Sequence, residues 1–216
     1  VKATRKEEAV APATAIPTRP EPVGKVDVVA IGASTGGPNA LAEVLVGLDG
    51  PLPVPIVIVQ HMPASFTTLF AERLSRESGI PVREGIDGVE LKPGSAWLAP
   101  GGYHMTLSRK LSTVTLHLNE DAPVHSCRPS VDVLFESVET VYRQRALAVV
   151  LTGMGEDGLT GCTALSEAGA PIVVQDQATS VVWGMAGAVA KAGISNKILP
   201  LPDVAGEVSR RAYYGR

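Results

Sequence analysis

Three apolar runs in this chain each end in a residue able to take part in proton or acyl transfer. Ser34 sits in the turn of "VVAIGASTGG" (28–37), His61 follows "PIVIVQ" (55–60), and Glu156 and Asp157 follow "ALAVVLTGMG" (146–155). A hydroxyl, an imidazole and a carboxylate are the set that nucleophilic acyl transfer requires. A serine is a weak nucleophile until a neighbouring base takes its proton. Histidine suits that task because its ordinary pKa, about 6.5, leaves it mostly neutral near pH 7. A carboxylate on the far ring nitrogen fixes the tautomer and stabilises the imidazolium that forms. Backbone N–H groups in a Gly-rich strand-to-helix turn can receive the negative charge that develops on the attacked oxygen.

The glycine-rich turn supports other chemistries less well. G-x-G-x-x-G, the dinucleotide-binding pattern, fails because Ser34 stands where the second glycine belongs. The acidic residue expected at the end of the second strand is replaced by His61. No Gly-Lys-Ser/Thr follows, so a Walker loop is excluded. "GASTG" does satisfy the G-x-S-x-G nucleophile turn, although the order Ser, His, Asp differs from the Ser, Asp, His of α/β-hydrolases. The rival reading is a non-catalytic module that holds an anion on the "STGG" loop. Considered singly, Ser34 can cap a helix, His61 can simply end a strand, and Asp157 can cap the helix after it. Asp176, at the end of "PIVVQD", and Asp132 compete with Asp157 for the role of acid.

Such residues need a scaffold that brings strand ends together. "VDVVAI", "PIVIVQ", "ALAVVLTG" and "PIVVQD" are continuous apolar runs suited to strands covered on both faces. Between them lie segments of helical spacing: "PNALAEVLVGL", "SFTTLFAERLSRESG", "SVDVLFESVETVYRQ" and "DGLTGCTALSEAG", with "DVAGEVSRRAYY" closing the chain. Ser65 and Ser130 are placed to cap helices, and Gly79 to stop one. In residues 81–120, "AWLAP", "HMTLSR" and "STVTLHL" alternate in period two and predict hairpins at one edge of the sheet. The fold expected is α/β: a doubly wound, mostly parallel sheet with helices on both faces and an antiparallel hairpin insertion. In such sheets ligands gather beyond the carboxyl ends of the strands, where Ser34, His61 and Asp157 lie.

Bulk composition is consistent with one domain of 25–216 preceded by a flexible linker. The 216 residues are 45% hydrophobic, enough for one core. Net charge is −3, which gives no footprint for nucleic acid. The two cysteines, Cys127 and Cys162, lack metal-site or disulfide spacing and fit a reducing compartment. Residues 1–24 mix Ala, Pro, Thr and charge without an apolar period, as a linker does.

"IGASTGGP", "QHMP", "APGGYHM", "RPSVDVLFESV", "LTGMGEDGLTG" and "GAPIVVQD", in this order and spacing, closely resemble the catalytic domain of the chemotaxis receptor methylesterase (CheB) family. The resemblance covers about residues 25–212. It implies Ser34 as nucleophile, His61 as base and Asp157, rather than Asp176 or Asp132, as acid, with no metal or organic cofactor. It further implies hydrolysis of glutamate γ-methyl esters on the cytoplasmic helices of chemoreceptors, with release of methanol, and deamidation of receptor glutamines. The setting implied is cytoplasmic, without membrane insertion. An N-terminal receiver domain and a histidine kinase are the expected partners in signalling, with residues 1–24 the remnant of a connecting linker. Ala186 stands where the family often has Pro, and Glu156 where it commonly has Asn.

Overall fold

A computed structural model describes residues 16–48 and 50–215. Residues 1–15, most of the segment read as a linker, lie outside the described residues. Seven parallel strands form the main sheet in the order β3-β4-β2-β1-β7-β8-β9. The four runs read as buried strands are β1 (Val28–Ala33), β2 (Ile56–Gln60), β7 (Ala146–Val150) and β8 (Ile172–Gln175), and every residue in them is buried. Their lack of alternation reflects two covered faces. Val29, Ile31 and Ala33 pack under α1 (Gly37–Gly47), α2 (Ala64–Ser78) and α6 (Leu201–Tyr214). Val28 and Ala30 face the opposite layer of α3 (Val131–Tyr142), α4 (Leu159–Glu167) and α5 (Met185–Lys191).

The middle of the chain departs in one respect from the expected hairpins. Ala96–Leu98 is β4, a parallel strand between β2 and β3 (Val82–Glu84), and no part of a hairpin. All three of its residues are buried, so the apparent alternation of "AWLAP" had no solvent face behind it. Among the strands of the described residues, only β5 (His104–Lys110) and β6 (Thr113–Asn119) pair antiparallel, as a separate two-stranded sheet. Met105, Leu107, Val114 and Leu116 of this hairpin share the core with α3, and the Leu107 amide donates to Ser137 Oγ. Among the strands and α-helices, three short elements escaped the sequence reading: α5 and the edge strands β3 and β9 (Lys197–Leu199). Gly79 ends α2 at φ 70°, as expected, and Ser130 caps α3. Ser65 caps nothing, since Pro63 with φ −62° takes that place.

Residues 16–24 run over the domain as a strap. The Arg19 amide donates to Ser195 O, Asn196 Nδ2 to Pro20 O, and Arg211 Nη1 to Pro22 O. Arg211 is fully buried and bonded to Glu207 and Glu21, while Lys197 and Arg210 complete the cluster. Removing one charge from a buried pair leaves its partner uncompensated. Glu207→Gln is therefore expected to destabilise the domain by roughly 3 kcal/mol, the low end of such losses because Glu21 still faces Arg211. Denaturant melts check this, with an unchanged slope and a lower midpoint as the expected result. Among the described residues no helix is long and apolar enough to cross a membrane.

Candidate active site

The chain reverses its direction of sheet growth between β1 and β7. From β1 it builds β2, β4 and β3 on one side, then returns to add β7, β8 and β9 on the other. The loops that leave β1 and β7 therefore diverge and open a crevice at their carboxyl ends, the preferred ligand position in this architecture. Ser34 leaves β1, Asp157 follows β7, and His61 follows β2, the other neighbour of β1.

The Ser34 turn is pinned from three directions. Its amide donates to Thr152 O at 3.0 Å, and its carbonyl accepts from the Gly37 amide at 2.8 Å. Gln60 Nε2 donates both to Ser34 O and to His61 O, each at 3.0 Å, so one buried amide ties the serine turn to the histidine. Gly36 begins α1 at φ 82°, and a Cβ there would sit 2.6 Å from Val181, so only glycine suits the turn. Ser34 itself is absent from the non-glycine positive-φ residues, Leu111, His125, Ser126 and Arg143. The match to G-x-S-x-G is thus one of pattern, without the strained backbone that the motif usually carries. Among the described residues, the Thr35 and Gly36 amides donate to no protein acceptor. They stand at the positive end of α1, whose first turn holds no acidic residue.

His61 joins this turn to the carboxylate. Its Nε2 lies 2.7 Å from Asp157 Oδ2. Asp157 is buried and accepts three further hydrogen bonds: from Ser130 Oγ at 2.8 Å and from the Val131 and Asp132 amides at 2.7 and 2.9 Å. Burial alone would raise its pKa, but the bonds from His61, the two amides and Ser130 outweigh that and hold it below the usual carboxylate value. Asp157 is consequently ionised, Nε2 carries the proton, and Nδ1 presents its lone pair. Ser34 and His61 share a pocket of about 550 Å³ walled by Met62, Phe66, Leu69 and Phe70. No hydrogen bond joins Ser34 Oγ to His61 here; with Nε2 on Asp157, the other ring nitrogen is Nδ1, which lies 3.6 Å from Cys127 Sγ.

The other carboxylates have different work. Asp132 Oδ1 accepts from the Gly161 amide at 2.8 Å, at the start of α4, and its Oδ2 lies 3.1 Å from His125 Nε2. Asp176 accepts from the amide and hydroxyl of Thr179, closing its own turn. Glu156 is exposed. Asp157 does not cap α4, whose N-cap is Gly158; it lies on the first turn of α3, while Asp132 of α3 reaches α4. Ala186 is buried in α5 and takes no part in the pocket. Sequence reasoning missed Gln60, whose signal was a polar residue ending a buried run. It also missed Cys127, with Sγ 3.6 Å from His61 Nδ1. Ligand atoms of His61, Cys127 and Asp157, and of His125, Asp132 and Asp157, come within 4.8 Å of one another.

Close packing leaves the serine no room to move. A Cβ on Gly153 would lie 2.8 Å from Ser34 Cβ and 2.3 Å from Met185 Sδ. Gly153→Ala is expected to displace Ser34 and lower turnover by roughly 10- to 100-fold, since misplacing a reacting group by about 1 Å can cost that much. Ester hydrolysis measured beside a thermal melt checks that the loss exceeds any unfolding.

A family model described as CheB methylesterase matches residues 29–208. A protein-glutamate methylesterase/protein-glutamine glutaminase of Trichodesmium erythraeum is 54% identical over 187 residues, 87% of this chain and 53% of that protein. The Azospirillum brasilense protein of the same name is 47% identical over 193 residues, 86% of this chain and 49% of its own length. The chain thus spans about half the length of the curated relatives it matches. The crystal structure of the Thermotoga maritima CheB methylesterase catalytic domain superposes with a TM-score of 0.82 at 34% identity, over 87% of this chain and 99% of that one. Fold, site-bearing segments and sequence agree, and the chain belongs to the CheB methylesterase family.

Proposed function

We propose that this chain hydrolyses γ-methyl esters of glutamate side chains on the cytoplasmic helices of chemoreceptors, and deamidates receptor glutamines by the same route. The observation that carries this reading is the 2.7 Å contact between His61 Nε2 and an ionised Asp157, with Ser34 in the same pocket. A loop that only held an anion would need neither the histidine nor the carboxylate.

Substrate closes the gap between Ser34 Oγ and His61 Nδ1, a contact that is often loose before substrate binds. Nδ1 takes the hydroxyl proton as Oγ attacks the ester carbonyl. The oxyanion receives the Thr35 and Gly36 N–H groups. Asp157 stabilises the imidazolium, which returns its proton to the departing methoxide, and methanol leaves. Water, deprotonated by Nδ1, then attacks the acyl-serine, and collapse restores Ser34 and frees the glutamate carboxylate. With a glutamine amide the first product is ammonia and the remaining steps are the same. Every charge is managed by side chains and backbone.

The chain, incubated with a methylated receptor fragment, is expected to release methanol stoichiometrically with carboxylates formed. A folded chain that releases none would leave the anion-binding reading in its place. In the longer protein, a receiver domain joined through the segment before residue 25 governs access to the site, and a histidine kinase phosphorylates it. Joining that domain is expected to slow the reaction, and acetyl phosphate to restore it.

A further inference from the structure

We propose that Cys127 Sγ and His61 Nδ1 form a two-ligand site for a soft divalent cation, Zn²⁺, whose occupancy shuts the enzyme off. The distance between the two atoms is 3.6 Å. Tetrahedral zinc with bonds of about 2.3 Å to sulfur and 2.0–2.1 Å to nitrogen spans about 3.6 Å between them, which is the separation observed. Thiolate and imidazole together also favour zinc over harder cations such as Mg²⁺ and Ca²⁺.

The surroundings complete the arrangement. In zinc proteins a ligating histidine gives its other ring N–H to a carboxylate, which fixes the ring and strengthens the donor nitrogen. His61 already does so, through Nε2 to Asp157. Asp157 is thereby a supporting group, its oxygens filled by His61, Ser130 and two α3 amides. A second cavity of about 320 Å³, on the Cys127 side of His61 and bounded by Pro63 and Pro129, leaves space for water in the open positions. Cys127 is delivered by a tight turn, Val124–Cys127, whose His125 and Ser126 hold positive φ. His125 is in turn anchored on Asp132. Arg128 points its guanidinium at Glu120 O and Asp121 O. The neighbouring set of His125, Asp132 and Asp157 is the poorer site, because both carboxylates already receive amides at the positive ends of α3 and α4.

On binding, the Cys127 thiol releases its proton to solvent, and sulfur and Nδ1 each give an electron pair to the metal. Nδ1 is the nitrogen that the proposed mechanism uses to deprotonate Ser34, so a metal there removes the base. The inhibition therefore rests on that mechanism, whereas the binding does not.

Cobalt separates the two. Titrating the metal-free chain with Co²⁺ is expected to raise a near-ultraviolet thiolate-to-cobalt band that Zn²⁺ abolishes. The band is expected to vanish in Cys127→Ala, which retains the fully buried Cys162 as an internal control, and to weaken in His61→Gln. Zn²⁺ inhibition of ester hydrolysis, scaled to each protein's own metal-free rate, is expected to be at least tenfold weaker in Cys127→Ala and reversible by chelator. No band in the wild-type chain, or equal bands or equal inhibition in Cys127→Ala, overturns the site. A band in a chain that shows no esterase activity without metal overturns the mechanism instead.

Discussion

Ser34→Ala is expected to leave the fold intact and to lower methyl-ester hydrolysis by roughly 10³-fold or more. The structure explains why the two effects separate. Ser34 is held by its backbone, through Thr152 O, the Gly37 amide and Gln60 Nε2, and none of these bonds involves the hydroxyl. Removing Oγ therefore costs the turn little while deleting the proposed nucleophile. The residual rate should reflect the Thr35 and Gly36 amides and substrate binding, which remain. Single-turnover assays on a methylated receptor fragment, with melts of both proteins, provide the check. A variant within about tenfold of wild type removes Ser34 from the chemistry.

The second large effect is expected at the proposed acid. Asp157→Asn should lower turnover by roughly 10²- to 10⁴-fold, because an amide carries no charge to stabilise the His61 imidazolium and can favour the wrong tautomer. Here the structure adds a cost in stability. Four donors converge on the Asp157 carboxylate, two on each oxygen, and an amide must turn its own N–H₂ toward two of them. Loss of about 1–3 kcal/mol follows from leaving such a donor unsatisfied. The sign with pH is fixed by the lowered pKa of Asp157. Its contribution is present above the unfolded value near 3.9 and is lost as pH falls through the lower folded value. The variant should thus differ most from wild type near neutrality and converge with it in acid. Asp176→Asn should stay within about tenfold in rate, since that carboxylate serves only Thr179. Collapse of turnover in Asp176→Asn with normal turnover in Asp157→Asn would reverse the assignment.

Much of this site was legible because a buried parallel strand advertises itself. The runs ending near Ser34, His61 and Asp157 are buried throughout and almost wholly apolar, and the polar residue that follows marks the rim. The choice among Asp132, Asp157 and Asp176 was not written in the pattern, since all three follow turns or open helices. It came from family resemblance, and the geometry supplies a reason: Asp157 leaves β7, which adjoins β1, whereas Asp176 leaves β8, one strand further away. Segments of three residues, such as β4 and β9, are too short for periodicity to declare itself. Gln60 and Cys127 were hidden for another reason. Their importance lies in contacts 26 and 66 residues distant along the chain, which no local spacing encodes.

The short strands that evaded sequence reading also govern how the sheet ends. Both of its margins, β3 and β9, are three residues long, although the strands at the centre run to five and six. An unpaired strand edge is a template for another chain, and brevity and charge blunt it. At β3, Arg83 is exposed and Glu84 half-exposed. Just before β9, Ser195 and Asn196 are bonded to a strap containing Pro20 and Pro22, residues with no amide hydrogen to offer a partner. A sheet rich in Val and Ile is thereby denied the long flat margins on which aggregation grows.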